Sequence, residues 1–505
     1  MIIERAHTPP STRPASASRA KYHAIFLAAF ALLALVLHAP YFSLPYFWDE
    51  LGQFVPAGLD ILRHGWWVPR SATPNVHPPG VMAYLAAVWK IAGYSIAATR
   101  VAMLLAAALA LYAAFLLAIE MGRRAPGAPA LIVVALLLAT PLFYMQAMMA
   151  QLDMPAMALT SFALLLFMQR RYAWCAGLCT ALVLVKETGA IAPALFGAWL
   201  LAREKRWREA LYFAAPFIAL ALWLVALKRQ TGFWLGDPGF ERYNVGYSLH
   251  PVRAAATLAR RLYYLFIAEF RWIGSLAIVY ALRRTPIFRR PRWAVAGAFF
   301  CAHVLLVSLF GGAALERYLL PVFPILYIAM AAALEALPAP LRLPARAALI
   351  IGLLSGLFWN PPYPFPYENN LAMIDFIRLQ QAAASYLEHN APRARVATAW
   401  PFSIALRRPD NGYVTRRFSV VETTDFHPAS VSLAVRTSRP DVLITYARTW
   451  EPAWSVLNLR PIAAFLGRFY DYQPQISAAE IERDFGMRSV FRLEHRGQWI
   501  EIFRK

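Results

Sequence analysis

The chain has 505 residues, 59% of them hydrophobic and 15% charged, with a mean hydropathy of +0.45, which excludes an ordinary soluble protein and describes a polytopic membrane protein. A formal net charge of +22 points at first to nucleic acid, but the arginines lie between apolar runs instead of on one soluble face. That is the pattern of membrane topology. Cys175, Cys179 and Cys301 all sit inside apolar runs, so a disulfide framework is excluded as well.

Residues 1–21 carry Arg5, Arg13, Arg19 and Lys21 among Pro and Ser and read as a disordered cytoplasmic tail. No small-residue cleavage motif follows the first apolar run, so an uncleaved signal anchor is expected. Apolar segments lie near 22–39, 78–92, 97–119, 130–149, 154–168, 172–186, 189–202, 209–227, 262–282, 293–310, 316–337 and 345–358. Segment 78–92 opens with Pro78-Pro79 and contains Lys90. At about 15 residues it falls short of the roughly 20 that cross a bilayer, so a helix at the outer surface is expected.

About eleven spans then remain, and Arg123-Arg124, Arg170-Arg171 and the arginine-rich stretches 203–208, 283–292 and 342–346 all fall on the N-terminal, cytoplasmic side. Loops 40–96, 150–153, 187–188, 229–261 and 311–315, and everything after Trp359, face outward. One helix through 172–202 would be about 45 Å long at 1.5 Å per residue, so a tight outer turn is expected at Lys186-Glu187-Thr188-Gly189.

After Asn360, Pro361-Pro362, Pro364 and Pro366 form a linker, and the composition beyond it is polar enough to be soluble. A helix over 371–389, strands at 395–399 and 442–446, and a closing hairpin of 490–494 with 498–503 joined at His495-Arg496-Gly497 predict a small α/β domain. It carries no phosphate-cradling glycine loop, metal-ligand cysteine spacing or nucleophile elbow, so its expected role is to pack over the membrane site. The predicted architecture is a polytopic α-helical membrane domain over 22–359, with catalytic motifs in its first outer loop 40–96, and an extracytoplasmic α/β domain over 360–505.

The outward-facing ionisable residues near the membrane surface are Asp49, Glu50, His77, Asp153, Lys186, Glu187, Glu316 and Arg317. Asp49-Glu50 stands just past the first apolar run, where carboxylates are costly unless they have a function; a solvated loop or helix cap is the alternative. Asp153, followed by Pro155, also fits a helix N-cap, and Lys186 and Arg317 also fit snorkelling to lipid headgroups. His77 also fits a structural hydrogen bond.

An acidic pair after the first span, His77-Pro78-Pro79 on the same loop, Asp153 before a later span and Glu316-Arg317-Tyr318-Leu319-Leu320-Pro321 near the end form an ordered set. Over about residues 20–360 the set resembles the polyprenyl-phosphate-dependent glycosyltransferases of the GT-C fold. More narrowly it resembles glycosyltransferase family 39, which holds the protein O-mannosyltransferases and the lipid A aminoarabinose transferase. The resemblance implies that Asp49 acts as, or next to, the catalytic base and that Glu50 and Asp153 are further catalytic acids. It places His77, Lys186 and Arg317 on the donor phosphate. A divalent metal at Asp49 and His77 is the one cofactor it suggests, although Val76 stands where the aminoarabinose transferases carry a metal-site glutamate.

The expected activity is transfer of a sugar from a polyprenyl phosphate to an extracytoplasmic acceptor, whether protein, lipid A or another glycan, in the inner cell membrane. A carboxylate would deprotonate or orient the acceptor hydroxyl, and a cation would stabilise the departing phosphate. A transporter or flippase of a lipid-linked sugar is the alternative, but neither an internal repeat nor deep intramembrane charges are present. A non-catalytic scaffold would leave Asp49-Glu50, His77 and Arg317 without a role.

Overall fold

A computed structural model describes residues 16–122, 129–312, 314–448 and 454–505. Helices form at each of the apolar segments, because runs rich in Ala and Leu favour the helix and satisfy their own backbone in lipid. Among the described residues five helices are long and apolar enough to cross a membrane: Lys21–Tyr41, Ile96–Gly122, Trp207–Thr231, Pro291–Leu309 and Glu316–Glu335. Shorter apolar helices, Gly80–Ala92, Ala130–Ala139, Asp153–Met168 and Tyr172–Val185, join them, as do Ile191–Trp199, the pair Pro251–Phe266 and Arg271–Arg284, and Ala339–Ser355. The helix Ile96–Gly122 is the buried centre of the bundle and packs most extensively on the helix Asp153–Met168, its small residues Ala107, Ala110 and Ala114 fully buried. Helix Ser16–His38 begins inside the expected tail; the rest of that expectation, residues 1–15, lies outside the described residues.

Two expected segments break. Segment 130–149 divides at Thr140, which is extended (ψ 119°) because Pro141 disfavours the helical conformation in the residue before it. Segment 262–282 divides between Pro251–Phe266 and Arg271–Arg284, which meet at 84°. Glu269 and Phe270 there adopt φ of 52° and 63°. The break is held by Arg271, fully buried, which donates to Tyr264 O (2.9 Å), Tyr327 Oη (3.0 Å) and Glu269 (2.7 Å). The turn expected near Lys186 is present: Lys186 is extended and Glu187–Ala190 form a single 3₁₀ turn. Gly80–Ala92 is a separate 13-residue helix that packs on Val55–His64.

The C-terminal part builds one five-stranded sheet in the order β2-β1-β3-β5-β4, with β1 Arg395–Ala399, β2 Ser419–Thr423, β3 Val442–Tyr446, β4 Arg488–His495 and β5 Gln498–Arg504. The β1 strand runs parallel to β2 and β3, whereas β5 runs antiparallel to β3 and β4. The closing hairpin turns on two residues, Arg496 (φ 48°) and Gly497 (φ 77°), the left-handed pair that matches strand twist. The β2 strand was not foreseen. Helix Ala372–Asn390 packs against β5.

Two features orient the site. Glu120 is bonded to Arg292 (2.8 Å) and Gln169 (3.4 Å), so three of the connections assigned to one face do share one end of the bundle. At the other end the sheet unit sits on the loop 40–96, through Tyr413 Oη to Tyr46 O (2.9 Å), Tyr94 Oη to Asp410 O (2.8 Å) and the edge-to-face rings of Trp48 and Trp400 (4.6 Å).

Candidate active site

A cavity of about 1120 Å³ opens between the helix ends and the sheet unit. Asp49, His77, Asp153, Lys186, Glu187 and Arg317 all line it, although they come from separate segments of the chain. Much of the remaining wall is apolar or aromatic, including Trp48, Phe240, Tyr243, Leu306 and Phe310. A low-dielectric wall strengthens whatever charge interactions the polar residues make.

Arg317 organises the polar wall. It is 3% exposed, at the start of the 3₁₀ turn Glu316–Val322, whose carbonyl at Tyr318 accepts from His303 Nε2 (2.8 Å). Its Nη2 donates to Asp49, its Nη1 to Gln151 Oε1 (2.7 Å) and Glu368 Oε2 (2.9 Å), and its Nε faces Asp153 Oδ2 at 3.3 Å. The other oxygen of Asp153 takes Lys186 Nζ at 2.5 Å, and that ammonium lies 4.1 Å from the Tyr318 ring. Asp153 makes no cap bond at its own helix end, and neither Lys186 nor Arg317 snorkels: both are buried against carboxylates.

His77 Nδ1 bonds Glu187 Oε2 at 2.8 Å, a second ion-pair-like unit on the cavity wall. Burial pushes the Glu187 carboxyl up, but the adjacent His77 and Lys186 outweigh it and hold the group at about 2. A metal at Asp49 and His77 does not fit this arrangement. Asp49 is turned to Arg317 and His77 to Glu187, and among the described residues no three His, Cys, Asp or Glu side chains group as metal ligands.

Glu50 is the correction among the proposed acids. Trp48 in the left-handed region (φ 50°) turns the chain sharply, sending Asp49 to the cavity and Glu50 into the core at 0% exposure. There Glu50 binds Arg100 (2.5 Å) and accepts from the backbone N–H of Phe47 (2.9 Å) and Ala150 (2.6 Å). It is therefore a positioning residue that ties the Asp49 loop to the loop before Asp153. Arg100→Met is expected to destabilise the protein by about 3–5 kcal/mol by leaving that carboxylate buried and unpaired. Thermal unfolding in detergent reads the loss, and an unchanged midpoint would refute the structural role.

One cavity-lining acid is not among the sequence candidates. Glu368, in the 3₁₀ turn Tyr367–Asn369, lines the cavity from just past the segment read as a linker. Burial, with Asp49 and Asp153 adding to it, raises its carboxyl against the pull of Arg317 to about 7. Glu316, among the outward-facing candidates, turns away from Arg317 to Arg260 (2.6 Å) and Asn369 (3.0 Å), and so anchors the turn that carries Glu368.

The model of glycosyltransferase family 87 matches residues 75–310, a stretch that holds His77, Asp153 and Lys186 but neither Asp49 nor Arg317. No curated protein matches the chain. Among solved structures the chain is similar to ArnT from Cupriavidus metallidurans in the apo state, with a TM-score of 0.53 and 14% identity over 96% of this chain and 98% of that one. The same protein bound to undecaprenyl phosphate gives 0.52 and 13% over 97% and 98%. The chain thus has the GT-C fold, and with the family match it is a multi-pass membrane glycosyltransferase.

Proposed function

We propose that the protein moves one sugar from a polyprenyl phosphate to an extracytoplasmic acceptor, in a single displacement that inverts the anomeric carbon. The observation that carries the reading is the Arg317 cluster: a buried guanidinium and an ammonium, Lys186, set beside cavity-lining carboxylates under an apolar wall. Such a wall suits a lipid chain and its buried cations suit a phosphate. That the similar ArnT structure carries undecaprenyl phosphate supports a donor of this class.

In the proposed step the acceptor oxygen attacks the anomeric carbon while its proton passes to Asp49, the more exposed carboxylate of the cluster. The bond from the anomeric carbon to the phosphate oxygen breaks, and its electron pair stays with the phosphate, held by Arg317 and Lys186. Asp153 keeps both cations in place. Glu50 supports Asp49 through the backbone, and His77 with Glu187 shapes the opposite wall. No metal takes part in this scheme.

The proposal extends to topology. The arginine-rich end of the bundle and the N-terminus lie in the cytoplasm, and residues 360–505 form a domain on the outer side of the inner membrane, over the cavity. The proposed acceptor is a protein, lipid A or another glycan, the range that the resemblance of the ordered motifs to family 39 suggests. Comparing by mass spectrometry the glycolipids and secreted glycoproteins of cells with and without the active protein tests the reading. One class of glycoconjugate should lose a sugar; an unchanged inventory with the donor lipid present would instead favour a transporter.

A further inference from the structure

Arg317 enters the proposed transfer as a cation for the donor phosphate, yet both of its terminal nitrogens are already bonded within the protein. Nη2 serves Asp49 and Nη1 serves both Gln151 and Glu368, while Nε, 3.3 Å from Asp153, makes no hydrogen bond among the described residues. A phosphate that takes Nη1 must displace Glu368 or Gln151 from it.

Charge decides what happens next. Asp49, Asp153 and Glu368 stand against Arg317, Lys186 and the buried Arg261 behind Tyr318, three carboxylates and three cations that balance if all are ionised. A lipid phosphodiester adds one negative charge. Uncompensated charge is costly in a buried site, so the donor's arrival calls for a proton.

Glu368 is the group built to take it. Its side chain is 3% exposed, against 23% for Asp49, and Asp153 has Lys186 as a second counter-ion. Its Oε2 carries both of its contacts, to Arg317 (2.9 Å) and to Gln151 Nε2 (3.4 Å), while its buried Oε1 has no hydrogen-bond partner among the described residues. A proton on Oε1 therefore breaks nothing. Among the described residues the charged or titratable groups that act most on Glu368 are Arg317 and Tyr318 from the 3₁₀ turn, Asp49 from the loop 40–96 and Asp153 from the start of its helix. Arg317 is the cation among these.

We propose that Glu368 is a proton-gated seat for the donor: on taking a proton it yields Arg317 Nη1 to the lipid phosphodiester, so donor binding draws one proton from solution. This rests on the lipid-phosphate reading above. The group's titration near pH 7 places the exchange in the ordinary range. The sign follows from which form competes. Above about 7 the ionised carboxylate holds Arg317 and donor affinity falls, by up to about tenfold per pH unit for one linked proton; below it affinity levels off.

The test uses the full chain in lipid nanodiscs and, as probe, the methyl phosphodiester of undecaprenol, whose own charge is constant over the range. Affinity is measured from about pH 5.5 to about pH 8.5, with calorimetry near pH 7 in two buffers of different ionisation enthalpy. The wild type should take up about half a proton per probe near pH 7, rising toward one at higher pH, with affinity falling as pH rises. Glu368→Gln, which keeps the shape without the charge, should bind as tightly as the wild type does at low pH, with no slope and no proton uptake. Wild-type binding without proton uptake overturns the proposal, as does an unaltered slope in Glu368→Gln. If that variant does not fold, Glu368→Asp should move the midpoint of the pH profile, and an unmoved midpoint overturns the proposal equally. Failure of the folded wild type to bind the probe at any pH removes the lipid-phosphate reading itself.

Discussion

Replacing Asp49 with asparagine is expected to lower sugar transfer by about 10²- to 10⁴-fold, the range for loss of a general base, while the protein stays folded in the membrane. The substitution is nearly isosteric, and the amide oxygen still accepts from Arg317, so the cluster keeps its geometry. What disappears is the proton acceptor. Asp153 does not replace it, since both of its oxygens face cations, and Glu368 lies on the other edge of the guanidinium. Initial rates at saturating donor, with thermal unfolding as a control, decide the matter. Undiminished transfer by a folded Asp49→Asn variant would take Asp49 out of the chemistry.

Arg317→Ala is expected to cost about 10²–10³ in transfer, the size of a lost electrostatic stabiliser of the departing group, and to fall on the donor more than on the acceptor. It also leaves Asp49, Asp153 and Glu368 without their shared cation, with Lys186 alone to hold Asp153. Breaking a buried pair costs about 3–5 kcal/mol, so a lower unfolding temperature should accompany the kinetic loss. Arg317→Lys separates the two effects: it restores charge, and with it part of the stability, but not the fork that reaches several carboxylates at once. Donor and acceptor concentrations varied separately provide the reading. A rise in KM for the acceptor alone would move Arg317 to the acceptor side.

The cluster was largely legible because its members carry a local signal. Asp49, His77, Asp153, Lys186 and Arg317 each stand at the edge of an apolar run, where a charge is conspicuous, and all five line one cavity. Glu50 carried the same signal and means something else: its partner Arg100 is 50 residues away at the head of an apolar helix, and only tertiary packing pairs them. Glu368 carried none, being one acid in a polar stretch behind a proline linker; the turn that aims it depends on Glu316 and Asn369.

Helix breaks divide the same way. Pro141 marks its break in the sequence, whereas the 84° bend after Phe266 needs two residues with positive φ and a buried arginine that no local propensity announces. The β2 strand was missed because Val420-Val421 is too short a β-favouring core, and its pairing with β1 comes from a distant part of the chain. The terminal hairpin, whose turn residues and alternating strands are contiguous, was read nearly to its ends.

The most direct test of the central claim follows the donor's fate. Wild-type and Asp49→Asn proteins are reconstituted with the polyprenyl lipids and acceptors extracted from cells that lack the protein, and both lipid and acceptor are followed by mass spectrometry. Free polyprenyl phosphate and glycosylated acceptor should appear one for one with the wild type and not with Asp49→Asn. A lipid-linked sugar that stays intact in the presence of folded wild-type protein and acceptor would contradict the account.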